Sequence, residues 1–288
     1  STLFPYTTLF LFATAVLSAS EAMNYLHSIF PVFPVIIATM VLLFLFLLLT
    51  ISGIGESSVV AIIIFLTHLT VLLLLICSGI YFLINHGLNI AEINFHTPVK
   101  GSIIHALFLG FSTAMLGISG FESSANFVEE QEDGIFPKTL RNMWVAIMII
   151  NPLIALIAVM ILPLNDAVVH TDALLSHMGN QTSGHWLAVI ISLDAMLVLS
   201  GAVLTSFIGV SGLVKRMTLD RIFPQFLLKE NLRGSSPRIL ITFFILCLSI
   251  SFITGGQLGP LAGVYTISFL SVMAFFGLGH LLLKIKRS

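Results

Sequence analysis

Charge is what this sequence has least of. Only 9% of its 288 residues are Asp, Glu, Lys or Arg, against roughly 25% in an ordinary soluble domain. Apolar types make up 57% and mean hydropathy is +1.08, more apolar surface than one globular core could hide. Cysteine is nearly absent. Cys77 and Cys247 both fall in apolar blocks, which excludes a disulfide framework or a cysteine zinc site and leaves them as expected packing residues. The nine histidines form no His-x-x-x-His or His-x-x-His pair, the spacing that sets two metal ligands on one helix face. No metal, cofactor or enzymatic chemistry is therefore expected. The formal net charge is −1, and no stretch forms the basic face of a nucleic-acid binder. No charged segment with a small-residue cleavage site precedes the first apolar block, and the chain opens at Ser1 without a methionine. It reads as a fragment of a longer chain.

What is present in quantity is long uncharged runs. A helix needs about 20 apolar residues to cross a hydrocarbon core of about 30 Å. Eight segments qualify as candidate spans: Leu3 to Ala19, Phe33 to Ile51, Val59 to Ile84, Ile103 to Val128, Met143 to Leu164, Leu187 to Val214, Ile239 to Thr254 and Leu261 to Leu283. The fourth and sixth are long and read as interrupted. The expected class is an all-α integral membrane protein, a multi-span helical bundle in one transmembrane domain over residues 1–288.

Charge placement gives this map a sidedness, because Lys and Arg accumulate in cytoplasmic loops. Lys138 and Arg141 follow the fourth span. Lys215, Arg216, Arg221, Lys229, Arg233 and Arg238 separate the sixth from the seventh, and Lys284, Lys286 and Arg287 follow the eighth. All of these share one side, and Lys100 alone lies on the other. The long opposite loop, Asn165 to Gly184, holds Asp166 and Asp172 but no basic residue. The first span therefore starts in the cytoplasm. Asn180-Gln181-Thr182 in that outer loop matches an N-glycosylation pattern, as ordinary polar loops also do by chance.

The fourth span is the most informative. Gly117-Ile118-Ser119-Gly120-Phe121-Glu122 interrupts an apolar helix. Each helix-interior glycine costs about 1 kcal/mol relative to alanine, and an ionisable group near mid-membrane costs about 2.5–3.5 kcal/mol on insertion scales. Two penalties at one place point to a broken helix. Unwound backbone at that depth is tolerated only where it is packed in protein or lines a cavity, and it presents free carbonyls and N–H groups able to hold a small charged solute. Two glycines alone would equally suit a close helix crossing. Glu122 favours the break, since packing needs no charge.

Two further intramembrane groups stand out. His68 lies in the middle of the third span and, with an unperturbed pKa of about 6.5, suits proton uptake and release; a neutral histidine bonded to a neighbouring carbonyl is the equal alternative. Asp194 is the other carboxylate inside a span, followed by Ser200, Thr205 and Ser206. Such acids usually face the protein interior and mark a pathway, although a position near the outer surface would leave it solvated. Gly255, Gly259 and Gly263 have helix-packing spacing.

Several fixed spacings together carry a family resemblance. The run Ser119-Gly120-Phe121-Glu122-Ser123-Ser124-Ala125-Asn126-Phe127-Val128-Glu129-Glu130, followed by Pro137-Lys138-Thr139-Leu140, resembles the sixth helix and following loop of the amino acid-polyamine-organocation (APC) permeases. Lys215-Arg216-Met217-Thr218-Leu219-Asp220-Arg221-Ile222-Phe223-Pro224 is similar to that family's cytoplasmic segment after helix eight, with Leu219 and Arg221 in place of its usual arginine and glycine. Gly53-Ile54-Gly55-Glu56-Ser57 resembles its loop between helices four and five.

The resemblance implies that the eight spans are family helices three to ten, the first two helices and the C-terminal end lying outside this fragment. The implied fold is a partial five-plus-five inverted repeat, leucine-transporter-like, with a discontinuous helix at the substrate. Carbonyls around Met115, Leu116, Gly117 and Ile118 would receive a substrate ammonium, and Ser119, Gly120, Phe121 and Glu122 complete this half of the cradle, Phe121 as gate or wall. His68 falls where many proton-coupled members have a lysine in place of a sodium ion, so H+ or Na+ is the implied coupling ion. The expected function is secondary active transport of amino acids or related organic cations by alternating access, as symporter or antiporter in the plasma membrane. An ion-coupled symporter of another solute, or a non-transporting solute sensor, are the alternatives.

Overall fold

In the computed structural model of the chain, residues 4–53, 58–98, 101–114 and 132–287 are described. Among them are eleven α-helices, two short 3-10 turns and no strand. The helices are α1 (Phe4–Ile29), α2 (Val35–Ile51), α3 (Ser58–His86), α4 (Asn89–His96), α5 (Ile103–Ala114), α6 (Ile135–Ile161), α7 (Leu164–Val169), α8 (Leu174–Ser183), α9 (His185–Leu219), α10 (Pro237–Ile253) and α11 (Leu258–Arg287). Each expected span corresponds to a helix or, for α5, to its described first part. By length and composition four of them can cross a membrane: α3, α6, α9 and residues Leu258–Gly279 of α11. Two further apolar helices, α2 and α10, have 17 residues each.

The sides of these helices explain the composition. The most apolar stretch of α3 has mean hydropathy 3.0 yet is only 17% buried within the chain. Ile62, Ile63, Phe65, Leu66 and Leu73 all stand exposed. Water-soluble monomers rarely carry continuous apolar patches beyond a few hundred Å2, so this surface suits a lipid environment. Prolines mark helix starts as their fixed φ and missing N–H favour: Pro34 immediately precedes α2 and Pro237 opens α10. Pro152 lies inside α6, where it removes one backbone hydrogen bond.

The chain divides into two compact units, residues 1–64 with 195–288, and residues 65–194. In the first, α1 packs against α2, α10 and α11. Its core is aromatic. Phe12 meets Phe243 at 4.8 Å between ring centroids, Phe207 meets the same ring edge-on at 4.8 Å, and Phe10 contacts Tyr265 and Phe269; such pairs add about 0.5–1.5 kcal/mol each beyond burial. The last carbonyls of α2 lack helical partners and are taken up by the loop before α10. Asn231 Nδ2 donates to Ile51 O at 2.8 Å, Ser235 Oγ to Thr50 O at 3.0 Å and Arg233 to Ser52 O at 3.2 Å.

In the second unit Asn94 of α4 clamps the end of α6. Its Nδ2 donates to Val159 O at 2.7 Å and Leu162 O at 2.8 Å, and its Oδ1 accepts from Leu164 N at 3.2 Å. Gly79 of α3 lets α6 come close: a Cβ there would stand 2.5 Å from Ile157 Cγ2. The same holds for Gly179 of α8, where a Cβ would stand 2.5 Å from Ile191 Cδ1 and 3.4 Å from Ala188 N.

Several expectations are corrected. Asn165 to Gly184 is not an irregular loop but helix α7, a 3-10 turn and α8, because buried Ser176, Met178 and Gly179 give it an inner face that short polar stretches lack. The sixth span is not interrupted; α9 runs unbroken for 35 residues. Cys247 is buried but Cys77 is exposed on α3. No described atom lies within 4 Å of a Cβ built at Gly255, Gly259 or Gly263, so the packing read from their spacing is not made by described residues.

Candidate functional site

The two titratable groups singled out inside spans, 126 positions apart, meet. His68 Nδ1 of α3 lies 2.7 Å from Asp194 Oδ2 of α9. The carboxylate side chain is 6% exposed and the imidazole 29%. Asp194 is thus not solvated at the outer surface. Asp194 is nine residues beyond the start of α9 and His68 ten beyond the start of α3. At a 1.5 Å rise per residue these are about 14 and 15 Å along their helices, half of a core of about 30 Å.

The surroundings hold Asp194 in place. Ser192 Oγ, fully buried two residues earlier, donates to Ser176 Oγ of α8 at 2.8 Å, and Ser176 Oγ donates to Ala188 O at 3.3 Å. The end of α8 is tied to α3 by Ser78 and Ser183, whose hydroxyls are 2.7 Å apart. Gly184, with φ +91°, makes the reversal from α8 into α9, a left-handed backbone that favours glycine. Levelling Ser183 with Ser78 places residue 194 level with residue 68, which is why the pair forms. An isolated charge here would carry a desolvation penalty of several kcal/mol. The 2.7 Å hydrogen bond from the His68 imidazole offsets part of it.

A second cluster, which sequence reading missed, lies between α6 and α9. Asp166 Oδ2 accepts from His177 Nε2 at 2.7 Å, and Asp166 Oδ1 lies 3.2 Å from His170 Nδ1. The two imidazoles stack at 3.9 Å with planes 1° apart. The hydrogen bond from His177, with the charges of both rings, holds the Asp166 carboxyl below the usual carboxylate range. The signal was an Asp-x-x-x-His pair on one helical turn, invisible to a search for histidine pairs alone. Glu21, beyond the predicted end of the first span, is carried inside α1 because that helix continues to Ile29.

Met115, Leu116, Gly117, Ile118, Ser119, Gly120, Phe121 and Glu122 lie outside the described residues, α5 being described to Ala114. The sequence profile of the family described as Amino acid permease matches residues 3–288. The chain belongs to the amino acid permease family. This permease is therefore an integral membrane transporter of the APC type, an all-α helical bundle that moves small molecules. A search of curated proteins finds no match.

Proposed function

We propose that this permease carries an amino acid or related organic cation by alternating access, and that the His68–Asp194 pair takes and releases the coupling proton. The observation that carries the reading is the 2.7 Å contact between two titratable side chains on two different helices, each long and apolar enough to cross a membrane. With His68 Nδ1–H bonded to the carboxylate, the pair has three charge states. Neutral imidazole with carboxylate has charge −1, imidazolium with carboxylate is neutral, and protonation of Asp194 as well gives +1. A group that alternates between the first two moves one proton per cycle without leaving a net charge in lipid in its loaded state. Asp194, engaged by an imidazole, is a poor sodium ligand, which favours H+ over Na+.

The substrate half-cradle is Met115, Leu116, Gly117, Ile118, Ser119, Gly120, Phe121 and Glu122. Their support is the glycine interruption and the family pattern. Backbone carbonyls of the break receive the ammonium, and Phe121 walls the cavity. A second broken helix, as a five-plus-five inverted repeat supplies, completes the cradle for the carboxylate. The basic inner loops and the acidic outer segment suit a multi-pass protein of the plasma membrane.

The test is uptake of a labelled amino acid by the full-length permease in liposomes under an imposed pH gradient or an imposed sodium gradient. Acid outside drives accumulation in the wild type; His68→Gln abolishes the pH-driven component while equilibrium exchange of substrate persists, and Gly120→Leu abolishes both. Uptake driven by sodium and indifferent to the pH gradient would overturn the coupling assignment. Normal uptake by Gly120→Leu would overturn the cradle.

A further inference from the structure

We propose that Asp166, His170 and His177 form a binding site for a borderline divalent transition cation, of which Zn2+ is the type. The site is separate from the substrate and coupling assignments. The donor set is two imidazole nitrogens and one carboxylate oxygen, all within 4.8 Å of one another. A four-coordinate zinc ion with bonds of about 2.0–2.2 Å sets its ligand atoms about 3.4 Å apart. Reaching that spacing from separations of up to 4.8 Å requires the imidazoles to rotate about their side-chain bonds. His177 Nε2 already lies 2.7 Å from the carboxylate, and His170 Nδ1 stands 3.2 Å from it while also facing the Asp166 backbone carbonyl at 3.0 Å, so a cation entering here displaces the protons of both rings. Three protein ligands leave the fourth position to water.

The backbone that presents these ligands is anchored independently on each side. Asn94 Oδ1 holds the first residue of α7, Leu164 N, at 3.2 Å. Two hydroxyl contacts, Ser176 with Ser192 and Ser183 with Ser78, fasten α8 to α9 and α3. Asp166 and His170 belong to one helical turn, and His177 comes from the next helix, so an ion bridges α7 to α8 across the 3-10 turn at Thr171–Ala173. Ligands on fixed elements lose little freedom on binding.

Charge and access point the same way. The segment from 165 to 184 contains Asp166 and Asp172 and no Lys or Arg, so its charge attracts a cation. The Asp166 and His170 side chains are 33% and 42% exposed while His177 is 17% exposed, a pocket edge that an aquo ion can reach. Imidazole nitrogen selects Zn2+, Cu2+ or Ni2+ over Mg2+ and Ca2+, which prefer all-oxygen cages.

The experiment titrates the purified full-length permease with Zn2+ in competition with a chromophoric chelator. One Zn2+ binds per chain in the micromolar range, and His177→Ala and Asp166→Asn each weaken it by at least about tenfold. The same samples loaded with Cu2+ show hyperfine splitting from two nitrogens by electron paramagnetic resonance, falling to one in His170→Ala. If His177→Ala fails to elute as a monodisperse species, His170→Ala at the more exposed position supplies the affinity comparison. Equal Zn2+ affinity in wild type and variants, millimolar binding, or copper spectra that ignore these substitutions would each overturn the assignment.

Discussion

Removing His68 leaves a buried carboxylate without its partner, and the cost can be worked from the geometry. Breaking a buried ion pair by deleting one member costs about 3–5 kcal/mol, and an acid at a helix centre costs about 2.5–3.5 kcal/mol on insertion scales. Asp194 is 6% exposed, but the His68 side of the pair is 29% exposed, so water entering the vacated space solvates Asp194 in part. His68→Ala is therefore expected at the low end, about 3 kcal/mol. Asp194→Asn keeps a hydrogen-bonding oxygen and removes the charge, and costs about 1 kcal/mol. The combined variant has no orphaned charge, so it is more stable than the sum of the singles by about 2 kcal/mol, within the range for residues in one network. Unfolding of the purified protein in mixed detergent micelles, for the wild type, both singles and the double, measures that coupling. Additivity within about 0.5 kcal/mol would refute the claim that the two groups hold each other.

Two other outcomes follow from local contacts. Asn94→Ala deletes two donated bonds and one accepted bond at the end of α6; at about 1 kcal/mol each the loss is about 2–3 kcal/mol by the same unfolding measurement, with amide exchange accelerated at 159–164. The Asp166 carboxyl is held below its usual range by His177, so its contribution is fully present above the usual carboxylate pKa and is lost as the pH falls through the lower folded value. Amide protection over 164–184 should drop in that acidic window, and Asp166→Asn should remove the pH dependence.

What could be read in advance, and what could not, divides along one physical line. The long apolar helices were visible because the capacity to cross lipid is a property of about 20 consecutive residues, and α2, α3 and α10 begin and end within a few positions of the predicted limits. Where an inner face depends on distant partners, reading failed. The segment 165–184 looked like a loop because its helix α8 is short and polar, and it is folded by Gly179 lying against Ile191 and by Ser176 bonding to Ser192. The glycines at 255, 259 and 263 had the spacing of a packing face, but among the described residues no atom comes within 4 Å of a Cβ built at any of them.

By itself the sequence determined that this chain is a bundle of membrane helices with a permease pattern, since hydropathy and motif spacing are both local along the chain. Only the tertiary structure decided that His68 and Asp194 are one pair rather than two separate candidates, and that Asp166, His170 and His177 converge. Those meetings depend on the depth at which each helix starts, which is set by contacts such as Ser78 with Ser183 between residues 105 positions apart.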